Sequence, residues 1–463
     1  MTEYQKTIKD KIYFSGTGIH TGVKTNMLLV PAKENTGIYF VRTDLKNKPI
    51  IHADIDNVFA TNRSTSLKSN NVEIHTTEHI LAAITGLEID NIEIQIDNIE
   101  IPIFDGSSQI FTDNISKVGI KNQKAEKKFF EISKKISFVD EESGTKMIAV
   151  PDNEYVIDVT IDYDSKVLGI QSANIKKISE FKEKISSSRT FCFLHELEQL
   201  IDNKLVKGGD LNNAIVVVEN KITEHSLKKI KNIFNKKQIK INKKGYLNNL
   251  DLRHDNEPAR HKLLDVVGDL ALVGRPLKGK IIAYKPGHKN NVKFAKKIKK
   301  IMMEQINKQA PKVNFDEAPL LDKEKIKSIL PHREPFLFID EIREIGQDSI
   351  VGVKYVKKEE DYFKGHFPQE PVMPGVLQLE TMAQTGGVLI LNTVENPQDY
   401  LTFFMKIDNA KFKQKVVPGD ILIFKLNLIS PIRRGLCHMR GLGFVNDKIV
   451  VEADLLAQIA PKK

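Results

Sequence analysis

The 463-residue sequence predicts an α+β protein, with two mixed α+β units followed by a third unit of one long helix against an antiparallel sheet. Three observations lead to this prediction. Short alternating runs typical of strands are interspersed with isolated helix patterns up to residue 306. A polar stretch that holds Pro311 and Pro319 follows. Beyond it, one strongly apolar helix pattern precedes strands of alternating hydrophobicity.

The composition excludes several classes of protein. Lysine and arginine number 70 against 60 acidic residues, a net charge of +10, so an anionic partner and a merely lysine-rich surface are both open. We find no zinc-finger, basic-zipper or RNA-binding motif and expect no nucleic-acid partner. Cys192 and Cys437 are too few for a disulfide framework, which favours the cytoplasm. No apolar run reaches the roughly 18 residues of a transmembrane segment.

The first unit, residues 1–125, is predicted to hold one buried helix among strands. The segment 75–86 (HTTEHILAAITG) places apolar residues at helical spacing and ends in glycine. The run NIEIQIDNIEIPIFDG alternates isoleucine with polar residues, as strands with one buried face do. The chain becomes polar over 121–128 (KNQKAEKK), where we expect a boundary between subdomains.

The second unit, residues 126–306, is predicted to repeat this layout around a stronger helix over 257–273. Asn256 or Asp255 would cap that helix, and Pro258 lies in its first turn. A shorter helix is expected over FLHELEQLIDNK and a strand over AIVVVE. The linker is placed at 307–321. The third unit, 322–463, then holds a helix over 375–392 and strands in ILIFKLNLI and KIVVEADLLA.

The helix over 257–273 carries a candidate metal site. Its apolar residues surround most of its circumference, which predicts a buried helix. His261, Asp265 and Asp269 nevertheless follow one another at i, i+4 and i+8, so they form one polar stripe. Buried charges need a counter-charge or a metal. A plain His–Asp hydrogen bond in the core is the competing interpretation.

The dipeptide Glu78–His79 adds a further histidine and a carboxylate. Neighbouring side chains on a helix point in different directions, so one can bind an ion while the other serves as a base. His79, His261 and Asp265 would form a set with an open position, which suits catalytic zinc and also non-haem iron. His288 in YKPGHKNN is expected on a loop and, taken alone, is a surface histidine.

Six segments within residues 1–306 point to one family. GTGIHTG, TTEHILAAITGLEIDN, FDGSS, SSRTF, RHKLLDVVGDLALVG and AYKPGH, in this order, resemble UDP-3-O-acyl-N-acetylglucosamine deacetylase, the zinc enzyme of the committed step of lipid A synthesis. The resemblance implies a sandwich of two similar α+β subdomains with the site between them, one Zn²⁺, and a UDP-linked acylated glucosamine as substrate. The segment 221–249 looks longer and richer in lysine than the family pattern.

The resemblance also implies a role for each motif residue. Glu78 would be the general base, and His288 would be the general acid or a cationic stabiliser that Asp269 orients. The residues that would bind the zinc are His79, His261 and Asp265.

Further residues would contact the substrate. Thr190 would hydrogen-bond the oxyanion, and Lys262 would lie near developing or substrate charge. The residues that would line a hydrophobic passage for the acyl chain are Phe191, Leu197, Leu200, Gly208 and Gly209.

A second candidate site, without a metal, lies in the segment 364–384 (KGHFPQEPVMPGVLQLETMAQ). Gly375 begins the predicted helix, where unpaired N–H groups and the helix dipole can hold a carbonyl oxygen. His366 precedes it, and Glu380 and Gln384 lie one turn apart on an otherwise apolar helix. These groups suit α-proton abstraction and protonation of a leaving group. A loop histidine and a buried, hydrogen-bonded carboxyl are the plainer interpretations.

The segments LPHREPFLFID and GHFPQEPVMPGVLQLETMAQ resemble the 3-hydroxyacyl-[acyl-carrier-protein] dehydratase of fatty acid synthesis, of the FabZ type. The resemblance covers residues 322–463 and implies the hot-dog fold, without a cofactor. It implies His366 as the base and Glu380 as the acid, from opposite subunits of a dimer, with the Gly375 amide on the thioester oxygen. The implied partners are acyl carrier protein and further copies of the chain, as a dimer or a trimer of dimers.

Together the two resemblances imply a bifunctional enzyme, a hydrolase of lipid A synthesis joined to a lyase of fatty acid synthesis. From the residues alone, other classes stay open. A non-haem iron oxygenase shares the ligand types of the first site, and a hot-dog acyl-CoA thioesterase shares the fold of the second. An acyl-chain-binding scaffold would need neither His79 nor His366.

Overall fold

The computed structural model describes residues 2–197, 207–209, 213–219, 230–231, 239–242, 244–247, 251–433 and 435–462. The chain forms two compact units, Met1–Met302 and Met303–Lys463. Within the described ranges, no helix combines the length and the apolar character needed to cross a membrane. Most of the helix expected over FLHELEQLIDNK and most of the segment 221–249 lie outside the described residues.

The first part of unit one is built from short strands and two helices. The strands are β1 (Tyr4–Ile8), β2 (Ile12–Thr17), β3 (Lys24–Pro31), β4 (Ile38–Arg42), β5 (Ile50–His52), β6 (Val58–Ala60), β7 (Ser66–Ser69), β8 (Val72–Ile74), β9 (Ile92–Ile96) and β10 (Ile120–Glu126). The helices are α1 (Glu78–Gly86) and α2 (Gln109–Val118).

Strand β9 lies in the middle of a five-stranded sheet with the order β2-β3-β9-β4-β5. It pairs antiparallel with β3 and parallel with β4. Its isoleucines are buried on alternate positions, as the sequence predicts, but the strand ends at Ile96 and does not cover the whole isoleucine-rich run. The polar segment 121–128 is mostly β10, which pairs antiparallel with β1. Its sequence is polar, which suggested a boundary, because most of its side chains face solvent.

The second part of unit one is a mixed sheet with helices against it. Its strands are β11 (Phe130–Glu131), β12 (Ile136–Asp140), β13 (Thr145–Val150), β14 (Tyr155–Asp162), β15 (Ile170–Ile175), β16 (Phe191–Phe193), β17 (Ile215–Val217) and β18 (Leu277–Tyr284). Its helices are α3 (Phe181–Lys184), α4 (Glu257–Ala271) and α5 (His288–Asn307). The main sheet has the order β12-β13-β18-β14-β15, and β16 pairs in parallel with β17.

Helices α1 and α4 pack directly against each other, and α4 also packs on β14 and β15. The backbones approach closely at Gly268, where an added Cβ atom would lie 2.1 Å from the Glu78 carbonyl oxygen. Glycine is therefore required at this crossing. The approach brings the first turn of α1 against the middle of α4.

Three sequence-based expectations about helices need correction. Helix α1 begins at Glu78 and not at residue 75, because His75 forms a β-bridge with Glu100 and Thr76 turns the backbone with a positive φ of 58°. Asn256 is the N-cap of α4 but makes no capping hydrogen bond with its side chain. His288 is not on a loop. It is the buried first residue of the 20-residue helix α5, whose apolar face is interleaved with many lysines.

Unit two wraps an antiparallel sheet around one long helix. Its helices are α6 (Lys323–Ile329) and α7 (Gly375–Leu391). Its strands are β19 (Glu341–Ile345), β20 (Ser349–Tyr355), β21 (Tyr400–Phe412), β22 (Ile421–Leu428), β23 (Leu436–Val445) and β24 (Lys448–Pro461). The sheet order is β19-β20-β22-β23-β24-β21, and α7 packs across its strands. The predicted α+β class, with a hot-dog domain at the C-terminal end, is confirmed.

Candidate active sites

Two histidines and one aspartate converge where α1 meets α4. The potential ligand atoms of His79, His261 and Asp265 all lie within 4.8 Å of one another, and all three residues are buried. Nε2 of His261 is 3.4 Å from Asp265 Oδ1. The contact of the two helices supplies this geometry, because His79 comes from α1 and the other two residues lie one turn apart on α4.

The hydrogen bonds around this cluster leave its inner atoms free for a cation. His261 Nδ1 lies 3.1 Å from the Ser188 carbonyl oxygen, so the ring donates there and Nε2 is the lone-pair nitrogen. His79 Nδ1 and Asp265 Oδ1 are buried without a hydrogen-bond partner in the described part of the chain. Buried polar atoms are almost always paired, so these unpartnered atoms fit a metal ion that binds here.

The charge states of the cluster also suit a metal. Burial lowers the pKa of His79 to about 3 and lowers the pKa of His261, so both rings are neutral. Burial alone would raise the pKa of Asp265, but the charges of Lys262 and His288 outweigh it and lower that pKa. Lys262 Nζ donates to Asp265 Oδ2 at 2.8 Å. Neutral imidazoles and a carboxylate are the forms that coordinate zinc.

Glu78 lies beside the cluster with one oxygen held in place. Its Oε2 accepts a hydrogen bond of 2.9 Å from the Thr65 backbone N–H. Burial raises the pKa of this carboxyl to about 7, the range in which a general base works best at neutral pH.

His288 and Asp269 form a buried pair beside the same cluster. His288 Nδ1 lies 2.9 Å from Asp269 Oδ2, and its Nε2 lies 3.8 Å from Asp265 Oδ2. Asp269 also accepts hydrogen bonds from the Thr65 hydroxyl and the Asn291 amide. Burial alone would lower the pKa of His288, but Asp269 and Asp265 raise it to about 9. The ring is therefore an imidazolium at neutral pH.

A cavity of about 280 Å³ opens onto these groups. The expected residues that line it are Glu78, His79, Thr190, Phe191, Leu197, Gly209, His261, Lys262, Asp265 and His288. Asp269 lies behind His288, and Gly208 lies at the edge, where its N–H donates to the Ile19 carbonyl oxygen. Leu200 lies outside the described residues.

Several residues of this site were not predicted. Thr65 joins Glu78 to Asp269 through its N–H and its hydroxyl group. His20 and Arg63 line the cavity, as does Cys192, whose thiol pKa burial raises to about 12. Among these residues, His20 could have been predicted from a motif, because it belongs to the GTGIHTG segment.

An ion pair fixes the segment that carries Thr190 and Phe191. Nε of Arg189 donates to Glu257 Oε1 at 2.8 Å, and its backbone N–H donates to the same oxygen at 3.0 Å. Both side chains are buried. Because Glu257 is the first residue of α4, this pair ties the cavity wall to the helix that carries His261 and Asp265.

In unit two, the expected residues lie along and before helix α7. Gly375 is its first residue, and an added Cβ would lie 2.7 Å from the Phe412 ring. His366 Nδ1 lies 2.7 Å from the Val372 carbonyl oxygen, so the ring donates there and Nε2 is the basic nitrogen. Glu380 accepts a hydrogen bond of 2.9 Å from the Gln384 amide.

A cavity of about 90 Å³ lies against Glu380 and Gln384. His332, which was not predicted, also lines it, and its Nε2 is 3.6 Å from Glu380 Oε1. His366 is not among the lining residues, and among the described contacts none joins it to Glu380. No described contact within one chain therefore brings the two expected catalytic groups together.

Known proteins match this chain along its whole length. Residues 5–239 and 230–300 match the family described as UDP-3-O-acyl N-acetylglycosamine deacetylase, LpxC, and residues 330–454 match the FabA-like domain family. A protein of Bacteroides thetaiotaomicron named bifunctional enzyme LpxC/FabZ is 46% identical over 460 residues, which cover 99% of each chain.

Two further relatives differ in extent. A protein of Chlorobaculum tepidum, also named bifunctional enzyme LpxC/FabZ, is 40% identical over 469 residues, which cover 100% of each chain. A protein of Syntrophus aciditrophicus named UDP-3-O-acyl-N-acetylglucosamine deacetylase is 38% identical over 294 residues, 63% of this chain and 85% of that protein.

Proposed function

The chain belongs to the family of bifunctional LpxC/FabZ enzymes, and we propose that each of its two units carries one activity of that double name. It is an enzyme with a UDP-3-O-acyl-N-acetylglucosamine deacetylase part and a FabZ-type dehydratase part. The first acts in lipid A synthesis and the second in fatty acid synthesis. The observation that carries the assignment of the first site is the buried cluster of His79, His261 and Asp265 with its unpartnered inner atoms.

The deacetylase family depends on zinc, and the proposed ligands of one Zn²⁺ in this chain are His79, His261 and Asp265. The donor set fits, because two neutral imidazoles and one carboxylate leave a position open for water or substrate. When bound there, zinc would supply a Lewis acid and lower the pKa of a water molecule. The fixed Nδ1–H of His261 supports this role, because it leaves Nε2 for the metal.

The residues around the cluster would divide the proton transfers of amide hydrolysis. Glu78 takes the proton of the attacking water, since it lines the cavity while Thr65 holds one of its two oxygens. Thr190 lines the cavity and donates to the developing oxyanion, where a donor contributes about 2.7–4 kcal/mol. His288, held by Asp269, gives its proton to the leaving amine.

The cavity wall and Lys262 would bind the substrate. Lys262 stays charged beside Asp265, close to the position of the reacting amide. Phe191, Leu197 and Gly209 line the cavity and would contact the acyl chain of the UDP-linked acylated glucosamine. The proposal for the acyl-chain passage also includes Leu200 and Gly208.

In unit two, His366 would be the base and Glu380 the acid of dehydration. The Nδ1–H of His366 is engaged by the Val372 carbonyl oxygen, so Nε2 can take the α-proton of the acyl chain. The N–H of Gly375, at the start of α7, would hold the thioester oxygen. Glu380 would then give a proton to the 3-hydroxyl group, which leaves as water.

The lack of a described contact between His366 and Glu380 in one chain supports a proposal about assembly. We propose a dimer in which each site takes the histidine of one subunit and the glutamate of the other, with a trimer of dimers as the full assembly. The acyl group would arrive on acyl carrier protein. Both cysteines are free, which supports a cytoplasmic location.

One experiment on the intact chain tests both assignments. Metal content, deacetylation and dehydration are measured for the parent, His79→Ala and His366→Ala. We expect His79→Ala to lose zinc and deacetylation while dehydration persists, and His366→Ala to lose dehydration alone. Retained deacetylation after His79→Ala, or dehydration abolished by a chelator, would contradict the proposal.

A further inference from the structure

His332 lies beside the carboxyl group of Glu380, and the proposed reaction gives it no task. Its Nε2 is 3.6 Å from Glu380 Oε1, and both residues line the cavity of unit two. His332 precedes β19 in the segment LPHREPFLFID, whereas Glu380 is on α7, so the fold brings together residues that are distant in sequence.

The same oxygen of Glu380 is also held by Gln384. The amide Nε2 of Gln384 donates to Glu380 Oε1 at 2.9 Å. Gln384 cannot turn, because its Oε1 accepts the Phe338 N–H at 2.8 Å and its Nε2 also donates to the Phe336 carbonyl oxygen. Two nitrogen atoms therefore approach Oε1, while Oε2 has no hydrogen-bond partner among the described residues.

The state of the His332 ring fits a donor at Nε2. Burial lowers the pKa of His332, although Glu380 opposes this effect, so the ring is neutral. Its Nδ1 is buried and finds no partner in the described ranges. A buried lone pair without a partner is tolerated better than a buried N–H without one, which favours the tautomer with its proton on Nε2.

We propose that His332 is a positioning residue for the dehydratase acid: with Gln384 it occupies Oε1, so the acidic proton of Glu380 stays on Oε2 and faces the substrate. This inference depends on the proposed role of Glu380. The distance of 3.6 Å is longer than a hydrogen bond and would shorten as charge develops on the carboxylate.

The proton count of the step balances with this arrangement. The α-carbon gives one proton to His366, the carbon–carbon double bond forms, and the bond from C3 to oxygen breaks. Glu380 Oε2 gives one proton to that oxygen, which leaves as water. The negative charge left on Glu380 is stabilised by the Nε2–H of His332 and the amide of Gln384, both already in place before the reaction.

The test compares His332→Ala with His332→Gln in the full chain, using a 3-hydroxyacyl thioester as substrate. We expect His332→Ala to lower the kcat of dehydration about tenfold or more, with KM within about twofold. His332→Gln should recover most of the loss, because a glutamine amide can reach the position of Nε2. The control is His438→Ala, because His438 lies on β23 between residues that line the cavity and does not line it itself.

Other outcomes separate this inference from the proposed function. A parental kcat in His332→Ala overturns the inference. So does a lower kcat together with a higher KM that His332→Gln does not restore, because a packing defect alone would explain it. The deacetylation activity of the same samples is measured as a control, to show that the variant chains are intact. Should Glu380→Gln keep full dehydration, the proposed role of Glu380 fails. Should Glu380→Gln be inactive while His332→Ala is normal, only this inference fails.

Discussion

At the residue scale, the surroundings of two titratable groups in the first site shift the pKa of each group away from its ordinary value. Burial raises the pKa of Glu78 to about 7. Burial would lower the pKa of His288, but the carboxylates of Asp269 and Asp265 raise it to about 9. The proposed base, Glu78, can therefore accept a proton near neutral pH while the proposed acid, His288, still carries one, as hydrolysis of an amide requires.

Asp269→Asn should move the alkaline limb of deacetylation to lower pH. In its proposed role as the acid, His288 must carry a proton, and this proton is lost as the pH rises through its pKa of about 9. Removing the charge of Asp269 lowers that pKa, so the limb should move down by roughly 1–3 pH units. The measurement is kcat against pH, with metal content checked in each sample.

The matched control for this change is Asp113→Asn, because Asp113 is an exposed aspartate of α2. An alkaline limb that stays at its parental pH in Asp269→Asn would show that His288 does not set it.

The residues of the motifs could be predicted because they are side chains with distinctive chemistry. Thr65 could not, since its backbone N–H leaves no spacing pattern. His332 is part of the motif LPHREPFLFID, but its contact with Glu380 could not be predicted, since it joins distant segments.

At the scale of elements, the crossing of α1 and α4 decides whether the first site exists. The sequence indicates both helices through their apolar spacing, but it does not indicate that they touch. Helix α5 was missed, because lysines are interleaved with its apolar residues and mask the helical period. The placement of His288 on a loop followed from that error.

Gly268→Ala should disrupt the proposed metal site, although Gly268 is not one of the proposed ligands. The new Cβ would lie 2.1 Å from the Glu78 carbonyl oxygen, so α1 and α4 must separate. Overpacking of this kind costs about 1–3 kcal/mol, and it would displace His79 from His261. We expect loss of bound zinc and of deacetylation, with dehydration unchanged.

Val267→Ala is the control for Gly268→Ala. Val267 is fully buried on the same helix, and its truncation lowers stability without pushing α1 away. Zinc content should therefore stay near the parental value in Val267→Ala. Equal zinc loss in both variants would mean that general destabilisation, and not the helix crossing, is responsible.

Glu257→Ala should strongly destabilise unit one. It removes one partner of a buried ion pair and leaves Arg189 buried without its counter-charge. Such a change costs roughly 3–5 kcal/mol of unfolding free energy. The readout is the urea transition that accompanies loss of deacetylation. Asp255→Ala breaks the exposed pair with Lys244 and should leave that transition in place, so equal shifts would refute the argument.

At the scale of the whole molecule, each compact unit holds one of the proposed sites. The fold class and the two families could be predicted from ordered motifs. The division at residues 307–321 stays a prediction. The assembly stays a proposal, supported by the lack of a described contact between His366 and Glu380 within one chain.

The net charge of +10 predicts how the dehydratase site meets an acidic carrier protein. Lys406, Lys411, Lys413 and Lys415 are exposed, although each also pairs with an acidic residue of its own chain. We expect kcat/KM for a carrier-bound substrate to fall as ionic strength rises, because screening weakens electrostatic steering. The same acyl group on a short neutral thiol should show no such fall, and equal slopes would exclude steering.

With a metal ion at its proposed ligands His79, His261 and Asp265, the stability of unit one would depend on the metal content of the solvent. A cation there would join helices contributed by remote parts of the chain, so the melting temperature would rise with the concentration of free metal. A hundredfold excess over the dissociation constant would add about 2.7 kcal/mol to unit one alone. In preparations that differ only in trace metal, the melting temperature of unit one would then differ, while that of unit two would be the same.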